Sequence, residues 1–186
     1  MEVKIGPYVD EGDREESIVI HDYDTWSMDH TLALMVLPML KQLKDTKHGA
    51  PNVDIEDTPP ELWPTEKETM AYQTNGETDS KFFQRWDYVM NEMIFAFTNK
   101  VNEWEDSFFD YGEEEEANKA TIEFKGVGPC QLRLFPDDDG SVEDYRLYEW
   151  VSGRKPKFDK DAYKEYQERI SNGFRLFGKY YESLWD

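Results

Sequence analysis

The chain has 186 residues, with 21 Lys and Arg against 41 Asp and Glu, a formal net charge of −20, and a single cysteine, Cys130. One domain of this length buries roughly 70% of its unfolded surface and requires no staple; one cysteine excludes an internal disulfide and the multi-cysteine zinc patterns, and fits a reducing compartment. The negative charge repels nucleic acid and anionic membrane and favours basic partners, either as a generic solvated surface or as carboxylates that imitate a phosphate backbone, and an aromatic content of 15% supports a packed core over disorder.

The opening MEVKIGPYVDEG lacks a basic segment and an apolar run, so no signal peptide is expected there. Residues 3–5 and 17–23 read as short strands around the acidic, Gly-containing turn 10–16. A helix is predicted next, capped by Ser27, with Asp29 in its first turn and Lys41, Lys44 and Lys47 toward its end before Gly49. Its residues 32–40 are apolar around the whole axis, which predicts a central, buried helix; Pro38 predicts a kink near Leu34. The same run is too short to span a bilayer, so the protein is expected to be soluble, without membrane association.

Residues 49–79, with Pro51, Pro59, Pro60 and Pro64 and eight acids to one Lys, lack a sustained period and read as an extended excursion. A second helix is predicted from Asp79 or Ser80 to Asp106, with Phe82, Trp86, Val89, Met93, Ala96, Phe97, Val101 and Trp104 at helical spacing. Residues 121–124, 131–135 and 142–150 read as strands, and residues 159–185 as the last helix. The expected fold is α+β: a single domain over 1–186, built as a bundle of three long helices packed with a small antiparallel sheet.

Candidate chemistry is sparse. His21, Asp22, Asp24, Asp29 and His30 form a strand-to-helix cluster that suits a divalent metal, against which Asp24, Ser27 and Asp29 also read as ordinary turn, cap and dipole residues. No Gly-x-Ser-x-Gly, His partner for Cys130 or phosphate-binding Gly-Lys-Ser/Thr occurs; no catalytic residue and no cofactor is assigned. Asp87 and Glu92 stand near Trp86 and Met93, where apolar rings can raise a carboxyl pKa or where the acids pair with Lys or Arg of a neighbouring helix.

The unusual stretch is 154–180, with eight basic and four acidic side chains interleaved with rings. Tyr166, Ile170, Phe174, Phe177 and Tyr181 form an apolar stripe at intervals of three or four, and Arg169, Arg175 and Lys179 flank it. Arg175, Arg169, Lys179, Lys47 and His48 are candidate phosphate ligands, and Tyr180 and Trp26 candidate stacking rings, for an anionic nucleotide-like molecule. Gly173 and Gly178 each cost about 1 kcal/mol in a helix interior, so they predict close approach by another backbone or by a ligand; symmetric self-association would also supply it, and a homo-oligomer is expected.

Val3-Lys4-Ile5-Gly6-Pro7-Tyr8, the run from Tyr23-Asp24-Thr25-Trp26-Ser27-Met28-Asp29-His30 through Ala33, Pro38-Met39-Leu40-Lys41-Gln42-Leu43-Lys44, Thr46-Lys47-His48-Gly49, Arg85-Trp86-Asp87, Glu92-Met93-Ile94 and the run from Ser171-Asn172-Gly173-Phe174-Arg175 through Tyr181 resemble a family of small acidic proteins of large tailed bacteriophages, usually without an assigned function. The resemblance covers roughly half the chain. It implies a phage protein that works in the host cytoplasm or the virion and brings no catalytic residues with it. The leading expectation is a non-catalytic binder that counters host defence by sequestering a nucleotide signal. The alternatives are a virion or host-targeting interaction module that engages basic proteins, including by DNA mimicry, and a metal-dependent hydrolase of a nucleotide messenger built on the His21 cluster.

Overall fold

A computed structural model describes residues 1–8, 14–111, 121–124, 148–152 and 157–185. Helices alternate with two-stranded antiparallel ladders, an α+β arrangement. The strands described form three separate ladders where one small sheet was expected. Residues 131–135, residues 142–147 and Cys130 lie outside the described residues. Two compact units divide the chain, residues 1–104 with 164–186 and residues 105–163.

The first unit opens with a hairpin of β1 (Glu2–Tyr8) and β2 (Arg14–Val19), in which Val3 faces Ile18 and Ile5 faces Glu16, with a bulge between Ile5 and Tyr8. The short helix α1 (Asp22–Trp26) follows, its entry fixed where the Asp24 carboxylate accepts the His21 backbone N–H at 2.7 Å. Ser27 separates α1 from α2 (Met28–Thr46) and contributes no capping bond from its side chain; α2 runs through Pro38.

Within 49–79 the expected extended, irregular excursion is corrected in part. It holds single 3-10 turns at Ile55–Asp57 and Pro60–Leu62 and a helix, α3 (Glu66–Asn75). The signals were local: the Thr65 hydroxyl accepts the Glu68 N–H at 3.3 Å, Glu68 accepts the Thr65 N–H at 2.8 Å, and Gly76 closes the helix at φ 75°.

Helix α4 (Phe82–Val101) is the core. Trp86, Val89, Met90, Met93 and Ala96 are at most 1% exposed, each large side chain stabilising by about 1.5–3 kcal/mol. The expectation of a central first helix is thereby corrected: α2 buries only Ala33 and Leu40, whereas α4 buries nine residues. The cause is that α4 packs against both α2 and the terminal helix α5 (Lys160–Lys179), which it meets at Ala96 and Phe97. A Cβ built on Gly173 of α5 would lie 2.6 Å from the Ala96 Cβ and closer still to the Glu92 carbonyl oxygen, so glycine sets how near the two helices come. Gly178 has open space around it. A 3-10 turn at Tyr181–Ser183 ends α5.

The second unit holds a 3-10 turn at Glu105–Phe108 and two ladders, β3 (Phe109–Asp110) with β6 (Lys157–Phe158) and β4 (Thr121–Phe124) with β5 (Tyr148–Ser152). Its aromatic centre stacks Phe109 on Phe158 at 4.8 Å, with Phe108 and Tyr163 edge-on. Among the described residues no helix is long and apolar enough to cross a membrane.

Candidate functional site

The cations flagged in the sequence are brought to carboxylates of the same chain. The 3-10 turn at Ile55–Asp57 delivers Asp57, only 6% exposed, onto the face of α5 where residues 175, 179 and 180 are neighbours by helical spacing. Arg175 Nη2 donates to Asp57 Oδ1 at 2.6 Å and Lys179 Nζ to Oδ2 at 2.5 Å. The Tyr180 hydroxyl donates to Oδ2 at 2.7 Å and accepts the Asp54 backbone N–H at 3.0 Å, while Lys179 also pairs with the Asp54 carboxylate at 2.7 Å. Arg175 is further held by Asn172 Oδ1.

The electrostatics follow from this packing. Burial alone would raise the Asp57 pKa, but the bonds from Lys179, Tyr180 and Arg175 outweigh it and hold the carboxyl below its ordinary value. Burial, then the bond to Asp57, pushes the Tyr180 hydroxyl up to about 12. Lys179 is raised by its bonds to Asp54 and Asp57. All three groups therefore keep their usual charge states at neutral pH.

Arg169 belongs to a different cluster. Its Nε and Nη2 reach the buried Glu92 carboxylate at 2.9 and 2.7 Å, and its guanidinium lies 3.8 Å from the Phe95 ring centre; the bond to Glu92 raises the Arg169 pKa. Lys47 pairs with Asp87 at 2.5 Å and donates to the Lys44 carbonyl. Pairing with a cation of a neighbouring helix, one of the two roles open for Asp87 and Glu92, is thus what both acids do. His48 is exposed, and Trp26 is 88% exposed on α1. Tyr180, offered as a stacking ring, is buried edge-on against Trp86 at 5.7 Å, so its face is covered by the core.

His21, Asp22, Asp24, Asp29 and His30 do not converge. Among the described residues no three His, Cys, Asp or Glu side chains come together as a metal-binding group. Asp24 is used at the start of α1, Asp29 pairs with Lys100, and His30 Nδ1 lies 3.2 Å from the Lys100 carbonyl oxygen.

One open feature among the described residues of this unit is apolar. A groove of about 730 Å³ runs between α2 and the end of α5, walled by Met35, Met39 and Leu43 on one side and Phe177, Tyr181 and Leu184 on the other. None of its described lining residues carries a charge. Met39 is 69% and Tyr181 65% exposed, and Leu32 and Met28, on the same stripe of α2, are 43% and 57% exposed. This surface was absent from the sequence-based site. Its signal was the apolar spacing 28, 32, 35, 39, which makes a seam along one helix face that the polar Gln42 and Thr46 continue. No protein-family model, curated protein or solved structure matches the chain.

Proposed function

We propose that the protein is a non-catalytic protein-interaction module whose working surface is the groove between α2 and the end of α5. The observation that supports this most directly is the seam of α2 on which the described residues leave Met28, Leu32 and Met39 exposed, about a quarter turn of helix from the buried Ala33 and Leu40. Fully burying one such side chain is worth about 1.5–3 kcal/mol, so covering four or five of them supplies several kcal/mol toward association before its entropic cost. A bundle of three long helices, α2, α4 and α5, is the scaffold this reading takes. In the context of the phage-protein resemblance, it corresponds to the virion or host-targeting interaction module.

Sequestration of a nucleotide at Arg175, Arg169 and Lys179 is less well supported, because an incoming phosphate would have to displace Asp57 and Glu92 from bonds of 2.5–2.9 Å. The test is site-specific photo-crosslinking in the producing cell, with the reactive group at Met39 or Tyr181 and a control at Met70, which is 67% exposed on α3. Discrete protein adducts from the first two sites and none from Met70 are expected. Incubation of the protein with a nucleotide panel, followed by heat denaturation and chromatography, should return every nucleotide undepleted and unaltered. Depletion with intact recovery, together with no adduct from the groove, would reject the module in favour of sequestration.

A further inference from the structure

Among the described residues the hairpin of β1 and β2 is a sheet of two strands only, and its apolar side chains gather on one face. Val3 stands opposite Ile18 and Ile5 opposite Glu16; the alternation of the strands adds Met1 and Ile20 to that face. The five apolar residues Met1, Val3, Ile5, Ile18 and Ile20 are 36–59% exposed. An isolated two-stranded hairpin is marginal in water, whereas three or more strands with an apolar face hold by themselves. Further strands join a sheet along its edges. Among the described residues β1 pairs with β2 alone, so its other edge, from Glu2 to Ile5, has no strand beside it. Pro7, which lacks an N–H, ends the stretch that could accept one.

The sequence of β1 is complementary to itself in one antiparallel register. With Val3 opposite Val3 of a second copy, Glu2 stands opposite Lys4 twice, and Met1 stands opposite Ile5 twice on the apolar face. A slip of one residue sets the apolar face of one copy beside the charged face of the other. Centring the pair on Glu2 or Lys4 opposes like charges, and centring it on Ile5 sets Val3 against Pro7. The outer edge of β2 has no equivalent. Centring it on Glu16, Ser17 or Ile18 sets Glu16 opposite itself, Ile18 or Ile20, and centring it on Val19 runs past the end of the strand into His21. The charge of −20 on each copy opposes association, but β1 itself carries one acid and one base, and physiological salt confines the repulsion of the rest to about 8 Å. We propose that the chain forms a two-fold symmetric dimer in which two β1 strands pair antiparallel about Val3, making one four-stranded sheet in the order β2-β1-β1-β2. The hairpin is distinct from the α2 groove, and this dimer does not depend on what the groove binds.

The experiment uses the full chain and follows its mass by sedimentation velocity over a dilution series. The parent should sediment as a dimer of 22.1 kDa chains that dissociates on dilution. Glu2→Lys sets Lys opposite Lys4, and Lys4→Glu sets Glu opposite Glu2, so each single variant should weaken the dimer at least tenfold. The double variant Glu2→Lys/Lys4→Glu restores both pairs and should dimerise like the parent. An equimolar mixture of the two single variants should form a mixed dimer at concentrations where neither associates alone. Both side chains are exposed, and an unchanged melting temperature for the helical core confirms that the variants fold. A monomer at every concentration, or a dimer indifferent to both single variants, overturns the proposal. Failure of the double variant and of the mixture to associate overturns it as well, because the register about Val3 requires both to recover.

Discussion

Replacing Asp57 by Asn tests whether the cations of α5 are structural. The substitution keeps the shape and one acceptor oxygen but removes the charge that Arg175, Lys179 and the Tyr180 hydroxyl address. Hydrogen bonds to a charged group contribute about 1.5–3 kcal/mol each. That sum must be discounted, since the Arg175 and Lys179 side chains are 50% and 32% exposed and regain water when released. A net loss of about 2–3 kcal/mol remains, a fall in melting temperature of roughly 4–12 °C for a chain of this size. The pH dependence has a definite sign. Asp57 is lowered on folding from an ordinary value of 3.8, so its stabilisation is complete above that value and is lost as pH falls through the folded pKa. The gap between parent and Asp57→Asn should therefore be full at pH 7 and narrower at pH 3. Thermal melts at both pH values measure it; a gap below about 0.5 kcal/mol at pH 7, or one unchanged at pH 3, refutes the assignment. Phosphate gives a second readout: 10 mM should raise the melting temperature of Asp57→Asn, whose cations are released, and leave the parent unmoved.

Gly173→Ala should destabilise by about 2 kcal/mol in urea melts, because the added methyl meets the Glu92 carbonyl and Ala96 and the roughly 1 kcal/mol gained in helix propensity only partly offsets this; Gly178→Ala, with open space around it, should be neutral or stabilising by up to about 0.5 kcal/mol. Tyr180→Phe leaves the Asp54 N–H without its acceptor and Asp57 short of a donor, at a cost of about 1–2 kcal/mol, and should remove from an ultraviolet titration a tyrosine that ionises only near pH 12. Thr65→Ala breaks the capping box of α3 and should cost about 1 kcal/mol, seen as faster amide exchange confined to Glu66–Asn75.

The elements legible in the sequence were those with a strong internal period or an unambiguous end. Phe82, Trp86, Val89 and Met93 marked α4, and Ile170 and Phe174 marked α5, because each stripe repeats over several turns. Helix α3 was not read, since its apolar residues Met70, Ala71 and Tyr72 form no continuous stripe, yet Thr65, Glu68 and Gly76 state both its ends. The site was harder for a different reason. Arg175 and Asp57 are 118 residues apart and Arg169 and Glu92 are 77 apart, and charge composition alone does not say which acid a cation will meet. The type of partner was legible for Glu92 and Asp87 from their places on a packed helix; for Asp57, in a proline-rich stretch, nothing local indicated burial.

Helix α2 shows how one sequence pattern serves two purposes. Residues 32–40 are apolar on every side, which in a chain considered alone means a helix surrounded by its own core. Here the core covers one side, along Ala33 and Leu40, and the described chain leaves Leu32, Leu34 and Met39 43–69% exposed. An apolar face left uncovered gains nothing from its own chain and invites aggregation, and a charge of −20 opposes such aggregation without closing the groove. The net charge and the open seam are therefore compatible in one chain: repulsion limits indiscriminate association at a face that the described residues leave uncovered.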